Sequence, residues 1–592
     1  MEITNNSPYQ NIIPLSGDFN FANGLHGDSQ LFVTDNAYFG FTDYGTRRMH
    51  VQQTVHSNSI PISNSIPISN SATIIVDTQI VSPEEKKLKL RAELLNLEGK
   101  VVAKNDQIIE VKNKKNNIQV TLSLENPHLW QGLQDPYLYT VRLVLLQDEK
   151  TLDKISVPVG LRTIAIDKEI GFLLNGEPYP LRGFAMHQDS FANGIAITDE
   201  DIARDFEIIS ESGANFLRLA HYPHNQAVFD MCDRLGIVVA TEIPWVNHCG
   251  INADEAYFDT IVKNMLGMIT NYYNHPSIAF WGMSNEMGGT HAKEKNSYFY
   301  PQGGIDWEKA QNWHEILYNK ARQLDDSRFI GLAIMSSQYW LAEKAGYPTQ
   351  NWASDYQSYN LYYGWYEQTF NDFGRYINYF NTYNRDNPIA LSEYGAGANP
   401  STHSSAPLET TQVGTGGIRH DEEYANLYHE AYVTQILERP WLTFTSVWTL
   451  FDFSVAQRNE GGIPHINDKG LISHNRQIKK DAFYLYKAWF RQDIPVVHIT
   501  SKRFDVRAGS TIIKAYANTD SLTLFVDDKP IQKLLPNKSN PYVWQFKNCL
   551  LEQGEYNIRV EGEKAGVLET DQFTLIVEKE IKKEIAKERK NK

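Results

Sequence analysis

Two short apolar runs in this chain each end in a glutamate. Ser277 to Gly282 (SIAFWG) runs on through Ser284 and Asn285 to Glu286, and Pro388 to Ser392 (PIALS) leads into Glu393. A short continuous apolar run bounded by polar residues reads as a buried strand. One glutamate in such a place could simply cap a following helix. Two of them are the minimum equipment for hydrolysing a glycoside, where one carboxyl protonates the leaving oxygen and the other attacks the anomeric carbon or activates a water. One must then keep its proton near neutral pH while its neighbour is ionised, a difference that burial and mutual repulsion create.

The elements that would position these groups form a regular series. Eight candidate strands lie between about 168 and 490: Tyr179 to Ala185, Ala214 to Ala220, Gly236 to Thr241, Ser277 to Gly282, Arg328 to Met335, Asp355 to Leu361, Pro388 to Ser392 and Thr443 to Thr449. Amphipathic helices fall between several of them. In Asp199 to Ser212, for example, Thr198 is a candidate N-cap and Ile202, Phe206 and Ile209 share one face. Eight such units predict a (β/α)8 TIM barrel, whose active site lies at the C-terminal ends of the strands. An open doubly wound sheet would want a Gly-rich phosphate loop after its first strand, and none is present.

The strand ends are consistent with that rim. They carry His187, Gln188 and Asp189; His221 and Tyr222; Glu242 and Trp245; Asn285 and Glu286; Asn360 with the run Leu361 to Tyr366; Glu393; and Trp448 with Asp452. Each residue alone has a bland alternative, such as core packing for Trp448 or an ion pair between Asp452 and Arg458. Together they form the lining of hydrogen-bonding groups and aromatic faces that a polyhydroxylated ligand needs.

On either side of the barrel the pattern is all-β. Residues 29–167 read as an immunoglobulin-like β-sandwich, with strands at Gln30 to Thr34, Ala72 to Thr78, Lys87 to Leu97, Asn117 to Ser123 and Tyr137 to Gln147. Inside it SNSIPI occurs at 57–62 and again at 63–68, an expanded exposed loop. Residues 491–578 read as a second sandwich, with strands at Val506 to Asn518, Leu522 to Val526, Tyr542 to Phe546 and Tyr556 to Glu561, and a hairpin turn at Asp527 and Asp528. A mixed-charge tail follows at 579–592.

Composition excludes other classes. A net charge of −15 argues against nucleic-acid and anionic-membrane partners. No apolar run is long enough for a transmembrane helix, and MEITNNSPYQ is not a signal peptide, so the expected location is cytoplasmic, with a periplasmic or secreted location left open if the N-terminus is incomplete. Three widely spaced cysteines, Cys232, Cys249 and Cys549, suggest neither disulfides nor a metal site.

Several stretches carry a family resemblance: LRGFAMHQD (181–189), GANFLRLAHYPHNQAVFDMCDRLGIVVATEIP (213–244), NHPSIAFWGMSNE (274–286), NLYYGWY (360–366), SEYGAG (392–397) and RNEGGIPHINDKGLISHNRQIKKDAFYLYKAWF (458–490). The chain resembles glycoside hydrolases of family 2, the β-galactosidase and β-glucuronidase family. The resemblance implies that Glu286 is the acid/base and Glu393 the nucleophile of a retaining mechanism. It further implies that His187, His221 and Asn285 hold sugar hydroxyls, that Tyr362, Tyr366 and Trp448 line the pocket, and that no cofactor is needed. Asn467 and Lys469 have the spacing of the Asn-x-Lys pair with which β-glucuronidases grip a sugar carboxylate. The surrounding segments look more like compact bacterial β-galactosidases, so the expected substrate is a terminal β-galactoside, with a β-glucuronide as the alternative.

Two departures from the family qualify this. The family's N-terminal jelly roll is represented only by residues 1–28, apparently its last strands, so a catalytically impaired truncated carbohydrate-binding homologue is a further alternative. The Mg²⁺ site of the large β-galactosidases uses a Glu and a His after the third strand. Here that segment is Trp245-Val246-Asn247-His248, without the carboxylate, so no obligatory metal is expected. Whether the chain forms a homo-oligomer is left open.

Overall fold

The computed structural model describes residues 18–20, 27, 30–57, 69–247, 249, 253–287, 305–384, 387–508, 512–547, 549 and 551–578. The repeat at 58–68 and the charged tail lie outside these. The described chain is a closed eight-stranded parallel barrel flanked by two β-sandwiches.

The barrel strands are β1 Leu181–Met186, β2 Phe216–Leu219, β3 Val238–Glu242, β4 Ile278–Asn285, β5 Phe329–Met335, β6 Tyr356–Asn360, β7 Ile389–Glu393 and β8 Phe444–Val447. β1 pairs with both β2 and β8, which closes the ring. Every residue of β4 is buried, as its unbroken apolar sequence predicts for a strand covered on both faces. The helix Asp199–Ser212 starts at Thr198, whose hydroxyl accepts from the Asp201 amide while the Asp201 carboxylate returns the bond to the Thr198 amide. Gly213 ends it in the left-handed conformation, as helix C-termini favour.

The amino-terminal end of the barrel is filled. Phe216, Phe280, Tyr356 and Phe444 pack there with Trp130 and Phe172, and the Phe216 and Phe444 rings stack at 4.6 Å. The polar opening is therefore left to the opposite end. After β8 an antiparallel hairpin, β9 Phe453–Glu460 and β10 Ile463–Asn467, joins that end. Gly461 and Gly462 turn it, both at positive φ, the geometry of a tight hairpin turn.

The first sandwich packs two antiparallel sheets around Ile74, Val76, Leu90, Val141 and Leu143. One holds Tyr38–Phe39, Met49–Ser57, Ser69–Ser82 and Lys114–Glu125; the other holds Lys86–Leu95, Val101–Val111, Tyr139–Gln147 and Lys150–Val159. Gln30 to Thr34 is not a strand, contrary to the expectation from its short apolar run. Leu31 and Val33 are 92% and 90% exposed, so the run has no sheet edge on which to satisfy its backbone. Met49–Ser57, Val101–Val111 and Lys150–Val159 are strands that the sequence reading did not register; their polar residues mask the apolar face. In the second sandwich the run from Val506 to Asn518 is two strands, Val506–Ala508 and Ile513–Ala517, in different sheets. Asp527 and Asp528 do form a turn, both at positive φ, between Ser521–Val526 and Lys529–Leu534.

The first sandwich also holds the start of β4. Buried Arg162 donates to the carbonyls of Pro276 and Ile278, the latter at 2.5 Å. Burial and the neighbouring Arg328 guanidinium push Arg162 down to about 9, so it is still a cation at neutral pH. Replacing it by Met leaves two buried carbonyls without these donors and costs about 3 kcal/mol. Arg162→Met is expected to lower the thermal midpoint while leaving the far-UV circular dichroism unchanged; an unchanged midpoint would refute the clamp.

Candidate active site

Glu286 stands one residue beyond β4, at φ 54°. That left-handed conformation is uncommon for a residue with a Cβ. It is held by the Glu286 amide donating 2.9 Å to the Ala333 carbonyl of β5. The side chain is half-buried and accepts one amide hydrogen bond from Asn360, at 2.9 Å. Burial first, and then the charge of Glu393, push the Glu286 carboxyl up to about 8, so it is protonated at neutral pH.

Glu393 closes β7 and is held differently. One oxygen accepts from the Arg218 guanidinium at 2.5 Å and the other from the Tyr362 hydroxyl at 2.7 Å. Burial, followed by the Glu393 charge, keeps the Tyr362 phenol protonated far above its ordinary range, so it remains a donor. The two glutamates are joined by one chain of side chains. Arg218 also donates 2.9 Å to the Asn285 carbonyl oxygen, and the Asn360 amide reaches that same oxygen at 3.1 Å and Glu286 beyond it.

Arg218 is the centre of this arrangement. Besides Glu393 and Asn285 it contacts both oxygens of Glu242, at 3.1 and 2.9 Å. Burial alone would lower its pKa; the Glu242 and Glu393 charges more than reverse that and hold it above its ordinary range. Gly282 leaves room for Glu242, since a Cβ there would lie 2.5 Å from the Glu242 Cβ. Glu242 in turn fixes His221, with Nδ1 to carboxylate at 2.5 Å. The other imidazole nitrogen of His221 lies 3.9 Å from Glu393.

His221 lies parallel to the Trp448 indole, 5.0 Å between ring centres. His187 is perpendicular to the same indole, and its Nδ1 is 3.2 Å from the Tyr222 hydroxyl. Burial pushes His187 well below its ordinary range, so it is neutral. Its buried Nε2 has no hydrogen-bond partner among the described residues. Phe19 packs on His187, His221 and Tyr222. A cleft of about 160 Å³ opens beside them, lined by Phe19, His187, Asp189, Tyr222 and Phe453 among others. Neither glutamate lines this cleft.

The β9–β10 hairpin adds a charged wall. Lys469 Nζ is 3.1 Å from Glu460 and lies over the Tyr366 and Trp365 rings at 5.2 and 5.7 Å. Glu460 also pairs with Arg458, and Arg458 with Asp18. Asp18 accepts from the Asn467 amide at 3.2 Å, while the Asn467 oxygen accepts from the Lys469 backbone amide.

All ten candidate residues therefore sit at the C-terminal end of the barrel or on the hairpin that covers it. One rim assignment and one bland alternative are corrected. Trp245 is fully buried, with its ring stacked on His314 at 4.5 Å, so it is core. Asp452 pairs with Lys480 at 2.8 Å and not with Arg458, because Arg458 is taken by Asp18 and Glu460. Arg218, Asp18, Phe19 and Glu460 were not singled out from the sequence. An arginine inside a buried strand, in FLRL, is the one signal that could have found Arg218, since a buried charge needs a buried partner.

The family model for glycosyl hydrolases family 2, TIM barrel domain, matches residues 164–494, and that for glycosyl hydrolases family 2 matches residues 61–162. This chain belongs to glycosyl hydrolases family 2. It is similar to the β-glucuronidase of Bacteroides fragilis, 32% identical over 578 residues, which cover 94% of this chain and 75% of that protein. Among solved structures it is similar to an FMN-binding β-glucuronidase from Facaelibacterium prausnitzii L2-6, at 30% identity and a TM-score of 0.81, covering 97% of this chain and 80% of that one. A putative β-galactosidase from Bacteroides fragilis follows at 26% identity and TM-score 0.81, covering 93% and 76%. For another curated relative the chain spans only 57% of the length.

The family 2 metal position after the third strand falls partly outside the described residues, which omit His248. Among the described residues Asp230, Asp233 and His275 bring three ligand-type atoms together. Their atoms are already engaged: His275 with Asp233 at 2.6 Å and with Gln226, and Asp233 also with the Ser277 amide. No helix of the described residues is long and apolar enough to cross a membrane.

Arg218→Met tests the hub of the family 2 site. Glu242 is held below its ordinary pKa in spite of burial, with Arg218 the largest lowering influence and His221 next. Its contribution to stability is present above its unfolded value near 4.5 and is lost as pH falls through the lower folded value. The deficit of the variant in thermal midpoint is therefore expected to be large at pH 7 and to shrink toward pH 4. A deficit independent of pH would show that Arg218 acts by packing alone.

Proposed function

We propose that this chain is a retaining exo-acting β-glycosidase that releases a terminal β-D-glucuronic acid. The observation that carries the glycosidase reading is the split between two carboxyls at the rim, half-buried Glu286 held protonated and buried Glu393 held by Arg218 and Tyr362. In this reading Glu286 gives its proton to the glycosidic oxygen while Glu393 attacks the anomeric carbon and expels the aglycone. Glu286, now a carboxylate, takes a proton from the water that displaces Glu393 from the sugar. His187, His221 and Asn285 hold sugar hydroxyls, and Tyr362, Tyr366 and Trp448 form the walls.

Glucuronide is preferred over the galactoside that the sequence motifs favoured. Asn467 and Lys469 stand together on the hairpin at the mouth, and an ammonium there offers a charge-assisted bond to a sugar carboxylate. The names of the similar proteins support the same choice. Galactoside is kept as a second reading because Lys469 already has an anionic partner in Glu460.

Paired p-nitrophenyl β-D-glucuronide and β-D-galactoside decide between them. The glucuronide is expected to be hydrolysed with the higher kcat/KM; a preference for galactoside reverses the assignment, and turnover of neither, with sugar still bound, indicates an impaired homologue. Glu393→Gln is expected to lower kcat by about a thousandfold or more, as for a group that acts in both chemical steps. The alkaline limb of the wild-type profile is expected near pH 8, where Glu286 loses the proton it must donate. Asn360→Ala removes a bond that favours the ionised form, so that limb should move to higher pH. A limb that stays in place in Asn360→Ala would separate it from Glu286.

A further inference from the structure

The hairpin places a second carboxylate on the lysine that would read the substrate. Glu460 ends β9, Lys469 follows β10, and their charged atoms lie 3.1 Å apart. Both side chains are nearly sealed from solvent, at 0% and 1% exposure. Arg458 bridges Glu460 to Asp18, and Asp18 reaches Asn467. Two cations, Arg458 and Lys469, thus already have two carboxylate partners, Asp18 and Glu460, before any ligand arrives. A neutral sugar adds no charge there. A uronic acid adds a third carboxylate to a set with only two cations, in a place where unmatched charge is costly.

We infer that Glu460 is a specificity-determining residue that competes with the substrate's carboxylate for Lys469. This rests on the reading of Lys469 as the carboxylate-binding group of the proposed reaction. Glu460 acts through Lys469 and does not touch the reacting atoms. With Glu460 on Lys469 a uronate binds only by taking its place, which weakens the preference for glucuronide that Lys469 alone would give.

The experiment is kcat and KM on p-nitrophenyl β-D-glucuronide and β-D-galactoside for wild type, Glu460→Gln, Glu460→Asp and Lys469→Gln. Glu460→Gln keeps the shape but removes the competing charge. It is expected to raise the glucuronide-to-galactoside ratio of kcat/KM about tenfold or more, the scale of one charge-assisted hydrogen bond. The change should fall in the glucuronide KM. Glu460→Asp draws the carboxylate back from Lys469 by one methylene and should move the ratio the same way by less, which keeps the test open if the amide variant does not fold. A ratio that falls, or that is unchanged because both substrates suffer alike or neither is affected, overturns the inference and leaves Glu460 a structural ion-pair partner. Lys469→Gln separates the two levels of the argument. If it spares glucuronide turnover, the carboxylate-reading role fails and takes the Glu460 inference with it. If it cripples glucuronide turnover while Glu460→Gln leaves the ratio unmoved, the inference about Glu460 alone fails.

Discussion

One buried guanidinium organises the site. Arg218 rises from the interior of β2 and is shared among Glu242, Glu393 and Asn285, which come from β3, β7 and the end of β4. A charge taken out of water is tolerated only where its partners surround it. Four strands must therefore keep their register for the guanidinium to be satisfied. The catalytic geometry is in this sense a by-product of neutralising Arg218. Glu393 is oriented because it is needed as a counterion, while Glu286, which makes no ion pair with that cation and is dominated by desolvation, keeps its proton.

The same distinction explains what could be read from the amino-acid sequence. All eight barrel strands were visible because most are compact apolar runs between helices, as burial on both faces requires, and β6, with the polar sequence YQSYN, fits the spacing of the series. The two glutamates were visible because a carboxylate after such a run breaks the pattern. Arg218 escaped notice although it sits in a run just as clear, because its partners are 24, 67 and 175 residues away in sequence. Trp245 was placed at the rim and Asp452 beside Arg458 by position alone, and the packing of His314 and Lys480 decided otherwise. Gln30 to Thr34 failed for the opposite reason: its apolar run was local, and a strand also requires a neighbour.

In the proposed reaction, substrate choice is written on a different element from the chemistry. The glutamates end barrel strands whose positions the ring constrains. Lys469, Glu460 and Arg458 ride on a two-stranded hairpin outside the ring. The hairpin can exchange charges without moving β4 or β7. Among the similar proteins, names divided between glucuronidase and galactosidase accompany one shared barrel, which is consistent with such a separation.

The bond between Arg458 and Asp18 joins residues 440 apart in sequence, and that between Asn467 and Asp18 joins residues 449 apart. Contacts at such separation form only after the intervening chain has been ordered. On the ribosome, Asp18 emerges early and must wait through the synthesis of a whole sandwich and a whole barrel before its arginine exists. A polypeptide halted before the hairpin would hold both glutamates without Arg458, Glu460 or Lys469 beside them.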